Sequence, residues 1–270
     1  MKSRVPTLTH VILSQGRDSV SAVTSLGDEV FVVCDNSQQV EVYDAETFTL
    51  QRHITVPELG SCVFGLAACD VNQCIYVSDS DNIHRVELSG SNAVKKWSVA
   101  GGPAGLSVNK AHNLLVACYG ANKLREYATD GSLVREICLQ AGVTHPWHAV
   151  QLSTGHYVVS QYKSPGVVCV VGVDGQVIHS YGQSQISDVG QMKNPSGLAV
   201  TKNDDILVAD HLNNRILSII RSTGCVQQLA LSVDDGIQWP LGMCMDESRG
   251  RLYVGEWTGK RVLVFDNVKT

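Results

Sequence analysis

Apolar and polar residues alternate in short stretches along almost the whole chain, broken every few positions by Gly, Asn or Asp, and helical periodicity is nearly absent. A period of two predicts half-buried strands, and strands this closely spaced predict an all-β protein. The same order of segments recurs. Residues 196–219, SGLAVTKNDDILVADHLNNRILSI, are echoed by GLAACDVNQCIYVSDSDNIHRV from Gly65, AGLSVNKAHNLLVACYGANKLREY from Ala104 and HAVQLSTGHYVVSQYKSPGVVCVV from His148. LGMCMDESRGRLYVGEWTGKRVLVF from Leu241 repeats it again, and SVSAVTSLGDEVFVVCDNSQQVEVY from Ser19 is a looser copy.

The six copies start near Ser21, Gly65, Gly105, His148, Gly197 and Gly242, at spacings of 44, 40, 43, 49 and 45 residues. Each reads as three short strands, followed in five of them by a fourth alternating segment: TLQRHITV, AVKKWSV, LVREICL, QVIHSYG and CVQQLAL. Four antiparallel strands in a unit of roughly 40–50 residues is the pattern of a β-propeller blade. The last copy lacks its fourth segment, and the N-terminus carries a spare one, THVILS at Thr9–Ser14. A closed ring in which this strand completes the last blade removes exposed sheet edges. The expectation is therefore one domain over residues 1–270, an all-β six-bladed propeller of four-stranded blades. A β-sandwich or a two-domain β protein would not explain the even spacing or the complementary ends.

The motif Gly-Leu-Ala-Val at 197–200, followed by Ile-Leu-Val-Ala-Asp at 206–210 and Asn213-Asn214-Arg215-Ile216, resembles an NHL repeat. Propellers of this family resemble the C-terminal domains of tripartite-motif proteins, which implies recognition of protein or RNA partners, with ligase activity on a separate RING domain. The chain holds no paired Cys/His ligands for a RING or B-box. The family also includes an amidating lyase and sensor domains, and fold alone does not choose among them. Its acidic residue at the end of the second strand is kept as Asp79, Asp210 and Glu256, but is Cys34, Cys118 and Gln161 in the other blades. Hydrogen bonding to the following turn is the expected role. A cation ring is hard to build with half its positions lost, because hard cations want six or more oxygens.

One position further on, the blades present Asp35, Ser80, Tyr119, Tyr162, His211 and Trp257, where a turn at the channel mouth begins. Nearby stand Lys123, Lys163, Arg215, Lys260 and Arg261 in blades three to six, against Asp35, Asp79 and Asp81 in blades one and two. Aromatics with Arg anchor protein interfaces, so a non-enzymatic module binding a protein or peptide is the leading expectation. Bases stacking on rings while cations neutralise phosphates makes single-stranded RNA the alternative. His148 replaces a glycine of other blades in the segment HPWHAV and is expected at the channel or its mouth. Trp147 and Trp239 read as packing between blades.

Chemistry and compartment follow from what is sparse. Gly-x-Ser-x-Gly, a phosphate-cradling Gly loop and His-Glu-x-x-His are all missing from the sequence, and no histidine occupies the six strand-end positions. His148, His211 and His145 come nearest to a zinc set, so no catalytic residue, metal or cofactor is expected. A net charge of −5 argues against DNA. No apolar run is long enough to span a membrane and the N-terminal residues carry no apolar block ending in a small-residue cleavage site, so neither a secretory leader nor a membrane partner is expected. Nine cysteines without a Cys-x-x-Cys pair, five of them (Cys34, Cys69, Cys118, Cys169 and Cys244) in apolar runs, suggest a reducing, cytoplasmic setting.

Overall fold

A computed structural model describes residues 6–16, 19–90, 92–182, 190–229 and 236–268. After β1 (Thr7–Leu13), blade one consists of β2 (Val20–Leu26), β3 (Glu29–Cys34), β4 (Gln39–Asp44) and β5 (Leu50–Thr55). Blade two holds β6 (Gly65–Cys69), β7 (Cys74–Ser78), β8 (Asn82–Glu87) and β9 (Val94–Ser98). Blade three holds β10 (Pro103–Val108), β11 (Leu114–Cys118), β12 (Lys123–Tyr127) and β13 (Leu133–Cys138). β14 (Pro146–Gln151), β15 (Tyr157–Gln161), β16 (Val167–Val171) and β17 (Val177–Tyr181) make blade four. Blade five is β18 (Pro195–Val200), β19 (Ile206–Asp210), β20 (Arg215–Ile220) and β21 (Cys225–Gln228). The end of its predicted outer segment, residues 230–231, lies outside the described residues. β22 (Pro240–Asp246), β23 (Arg251–Glu256) and β24 (Arg261–Asp266) complete the set.

These strands form six four-stranded sheets, and the sixth has the order β1-β24-β23-β22. β1 runs antiparallel to β24, from Thr7 opposite Asp266 to Leu13 opposite Arg261. The propeller and its closure by the N-terminal strand are as the repeat predicts.

Burial explains why each strand reads as it does. The second strands β7, β11, β15 and β19 are buried on both faces between neighbouring blades, and their sequences are apolar up to the last one or two residues. The outermost strands, such as Leu50–Thr55, are largely exposed and mostly polar. The innermost strands pack against one another so closely that side chains do not fit at some positions. A Cβ on Gly65 would lie 2.6 Å from the Ala104 carbonyl, and one on Gly105 would lie 2.7 Å from that of Trp147. Among the described residues no helix is long and apolar enough to cross a membrane.

Candidate functional site at the channel mouth

In each blade the first residues of the inner strand pair with the last of the second strand: Pro103 with Cys118, Pro146 with Gln161, Pro195 with Asp210 and Pro240 with Glu256. The register shifts just after each of these prolines, a bulge that bends the strand where it enters the ring. Blade entries and second-strand ends therefore meet on one face, around a channel of about 260 Å³ lined by the inner strands with Phe64, Trp147 and His148 among its walls.

The carboxylates at the second-strand ends tie this face together. Asp79 Oδ1 accepts hydrogen bonds from the amides of Asp81 (2.9 Å) and Asn82 (2.8 Å), and Oδ2 from the amide of Gly60 (3.0 Å) and the ring of His84 (2.9 Å). Burial alone would raise this carboxyl, but those donors outweigh it and hold it down at about 2. Asp210 takes the Lys193 amide and the Arg215 guanidinium, each at 2.7 Å. Glu256 takes the Gln238 amide (2.6 Å) and Arg261. In blade four the neutral Gln161 does the same, accepting from the Thr144 amide at 3.0 Å. The oxygens are thus occupied by the chain itself: the bonds to the following turn are as the sequence leads one to expect, and those to the incoming loop are an addition.

The same kind of pairing neutralises three of the five cations expected as a basic sector on blades three to six. Arg215 is paired with Asp210, Arg261 with Glu256, and Lys123 with Glu136. Lys163 donates to the Gly142 carbonyl and to Thr144, both at 3.4 Å. Lys260 is exposed in the turn before β24, and its carbonyl accepts from the Ser14 amide at 3.1 Å. A phosphate backbone needs cations not already neutralised by neighbours. The single-stranded RNA expectation loses its electrostatic footing here.

What the mouth does present is aromatic. Starting at His145, ring centroids follow one another to Tyr119 (5.0 Å), Trp147 (6.2 Å), Tyr162 (4.6 Å, stacked), His211 (5.7 Å) and Trp239 (5.4 Å). Phe64 branches from Trp147 at 5.6 Å. Tyr119 is 36% and Trp239 41% exposed, whereas His211 is only 3% exposed, and Tyr162 and Trp257 are half-buried. Burial pushes the His211 imidazole down and the Tyr162 phenol up, so both rings are neutral near pH 7. The His211 Nδ1–H donates to the Pro240 carbonyl at 3.1 Å, which leaves Nε2 as the nitrogen carrying the lone pair.

His145 and Trp239 occupy an unusual backbone position. The residue before each entry proline has positive φ: Gly102 (69°), His145 (54°), Asn194 (52°) and Trp239 (47°). Gly and Asn adopt this left-handed shape cheaply, but for other residues it costs about 1–2 kcal/mol. Two hydrogen bonds pin each of the large ones. The His145 amide donates to Asn122 Oδ1 and its carbonyl accepts from the Tyr162 amide, both at 3.0 Å. The Trp239 amide donates to Asn214 Oδ1 (2.8 Å) and its carbonyl accepts from the Trp257 amide (3.0 Å).

His148 is spent on structure. Its Nε2–H donates to the Leu106 carbonyl of blade three and its Nδ1 accepts from the Leu198 amide of blade five, each at 2.9 Å, so the ring spans three inner strands along the channel wall. Burial pushes it down to about 4. Sequence reasoning assigned Trp147 and Trp239 to packing and left His145 out of the binding face. The signal that could have found His145 and Trp239 is a bulky residue directly before the entry proline where other blades carry Gly102 or Asn194, and Trp147 stands just after its proline where others carry Ala104, Ser196 or Leu241.

On the opposite face, Cys69, Asp70 and His112 bring a thiol, a carboxylate and an imidazole within 4.8 Å of one another, the one such metal-ligating group among the described residues.

An NHL-repeat family model matches residues 192–217, the blade in which the motif is most complete. No curated protein matches the sequence. Among solved structures, a streptogramin B lyase shares 13% identity at a TM-score of 0.66, over 95% of this chain and 96% of that one. Virginiamycin B lyase from Staphylococcus aureus shares 10% at 0.67, over 97% and 99%. Hydrazine synthase from Kuenenia stuttgartiensis shares 17% at 0.66, over 92% and 77%. At these identities the likeness is one of fold. These propellers are nevertheless enzymes named for small molecules. With three of the five expected cations paired and with the metal-ligating group, they overturn the expectation of a non-enzymatic, tripartite-motif-like scaffold for protein, peptide or RNA partners.

Proposed function

We propose that the chain is an enzyme acting on a small, largely uncharged molecule held on the aromatic mouth, with His145 as the group that moves a proton. The carrying observation is the pair of bulky residues, His145 and Trp239, held in left-handed backbone conformation at the two ends of the aromatic row. Strain of this kind persists only where surrounding contacts impose it, and it concentrates at functional sites. His145 is exposed at the rim, its backbone fixed on both sides. An imidazole is the side chain best matched to proton transfer near neutral pH. Tyr119 sets a phenol, a proton donor, beside it.

The remaining predicted face takes supporting roles. Tyr119, Trp147 and Tyr162 supply the stacking platform, His211 backs it, and Trp257 holds Trp239. Lys123, Arg215 and Arg261 stiffen the turns through their ion pairs, and His148 braces the channel below. At about 260 Å³ the channel is smaller than the ~300–1,000 Å³ of typical ligand pockets, so it admits one small group while the rest of the substrate lies across the rings. The names streptogramin B lyase and virginiamycin B lyase support elimination as the reaction class. There a base takes a proton from carbon, the neighbouring bond to the leaving group breaks, and a double bond forms without a co-reactant. Buried free thiols at Cys69, Cys74, Cys118 and Cys169 fit a reducing, cytoplasmic compartment.

A crystallographic fragment screen tests the placement. Planar aromatic fragments are expected over Tyr119, Trp147 and Trp239, with polar atoms towards His145. Fragments collecting elsewhere and leaving the mouth bare would contradict it.

A further inference from the structure

The face opposite the mouth carries a second chemistry, and it stands independently of the reading above. Cys69 ends the inner strand β6 and Asp70 begins the turn after it, while His112 belongs to the turn between β10 and β11 of the next blade. Two blades thus contribute to one point. Cys69 is buried, His112 half-buried and Asp70 exposed, and their ligand atoms converge within 4.8 Å. The two turns are already tied together by Asn72, whose Nδ2 donates to Cys69 Sγ at 3.2 Å and to the His112 carbonyl at 3.4 Å. His112 is held at φ 61°, with its amide bonded to the Asn109 carbonyl at 2.9 Å. Lys110, in the same turn, directs its ammonium away to the Ser153 carbonyl of blade four at 3.4 Å.

We propose that Cys69, Asp70 and His112 form a binding site for one divalent cation of the zinc class. Thiolate and imidazole select against magnesium and calcium, which take oxygen ligands. A thiolate and a carboxylate together supply two negative charges to balance the cation. Three protein ligands leave a fourth tetrahedral position for water, the composition of an open zinc site. Asn72 donates to the sulfur from outside the ligand set, as outer partners of metal ligands do. Asp70 also lines a cleft of about 760 Å³ with Asp28, Glu46 and Asp246, three carboxylates that pair with Arg249. Asp70 Oδ1 accepts from the adjacent Val71 amide at 2.8 Å, whereas both oxygens of Asp79, Asp210 and Glu256 at the mouth are occupied by the chain itself.

Cobalt(II) is the probe, titrated into the metal-free reduced chain. One equivalent should produce the visible bands of a tetrahedral ion with a thiolate-to-cobalt charge-transfer band, and zinc should displace it. Cys69→Ser should remove the charge-transfer band, whereas Cys62→Ser, at an exposed thiol, should leave it intact. His112→Asn keeps a residue that tolerates positive φ while deleting the ligand, and should weaken binding about 100-fold or more with folding unchanged. Zinc should raise the melting temperature of the native chain but not that of His112→Asn. No charge-transfer band in the native chain, or a band that survives Cys69→Ser, would overturn the site.

Discussion

At the scale of single residues, the two histidines of the HPWHAV segment do opposite work although they stand three positions apart. His148 is buried with both nitrogens engaged by backbone groups of flanking blades. Protonation would set an N–H against the Leu198 amide. Its folded value of about 4 lies below the 6.5 of a free imidazole, so its contribution is fully present above about pH 6.5 and is lost as pH falls towards 4. That difference corresponds to roughly 3 kcal/mol. Urea unfolding of the native chain should weaken over this window. His148→Gln, less stable throughout, should show a flatter profile, and an equally steep one would assign the pH dependence to other groups.

Position 145 gives the converse result. His145→Asn suits the left-handed backbone better than histidine does, so the melting temperature should hold or rise slightly while turnover falls about 100-fold, the usual scale of general acid–base catalysis. A fall in both together would make the histidine structural. Asp79 is sensitive in a third way. Asp79→Ala strands the buried His84 ring and three backbone amides, and should cost about 3 kcal/mol by denaturant unfolding.

At the scale of elements, the ring is fastened by one strand whose side chains are mostly exposed. Ile12 is the exception at 2% exposure, packed with Val20, Val262 and Val264. Ile12→Ala should therefore lower stability by about 2–4 kcal/mol, read as a lower urea midpoint at unchanged slope. An unchanged midpoint would mean that the backbone ladder alone closes the ring.

The strands were legible in the sequence because each repeats one burial pattern: an apolar second strand between blades and a polar outer one. The anchoring role of Asp79 and Asp210 was legible for the same reason. The mouth was harder to read. Its aromatic row interleaves residues after the second strand, Tyr119, Tyr162 and His211, with residues at the proline entry, His145, Trp147 and Trp239. Those two positions lie about 15–28 residues apart in the chain and meet only through the β-register. Lys123 looked like a free cation because its partner, Glu136, lies on the neighbouring strand β13. The Cys69–Asp70–His112 group is not legible in the sequence because His112 comes from the blade after the one that carries Cys69 and Asp70.

At the scale of the whole molecule, the propeller is a rigid ring with two distinct faces. One is aromatic, with three of its five cations paired to carboxylates, and the other gathers a thiol, a carboxylate and an imidazole beside a cleft where Arg249 pairs with Asp28, Glu46 and Asp246. Closure of the ring places six blade entries around one small channel, so residues far apart in sequence can act on one ligand without any domain movement. The central claim is that the aromatic mouth turns over a small molecule. Its most direct test is to incubate a small-molecule extract with the native chain and, separately, with His145→Asn, following both by mass spectrometry. A species consumed and a product formed by the native chain alone is the predicted result. Identical profiles for the two proteins would contradict the account.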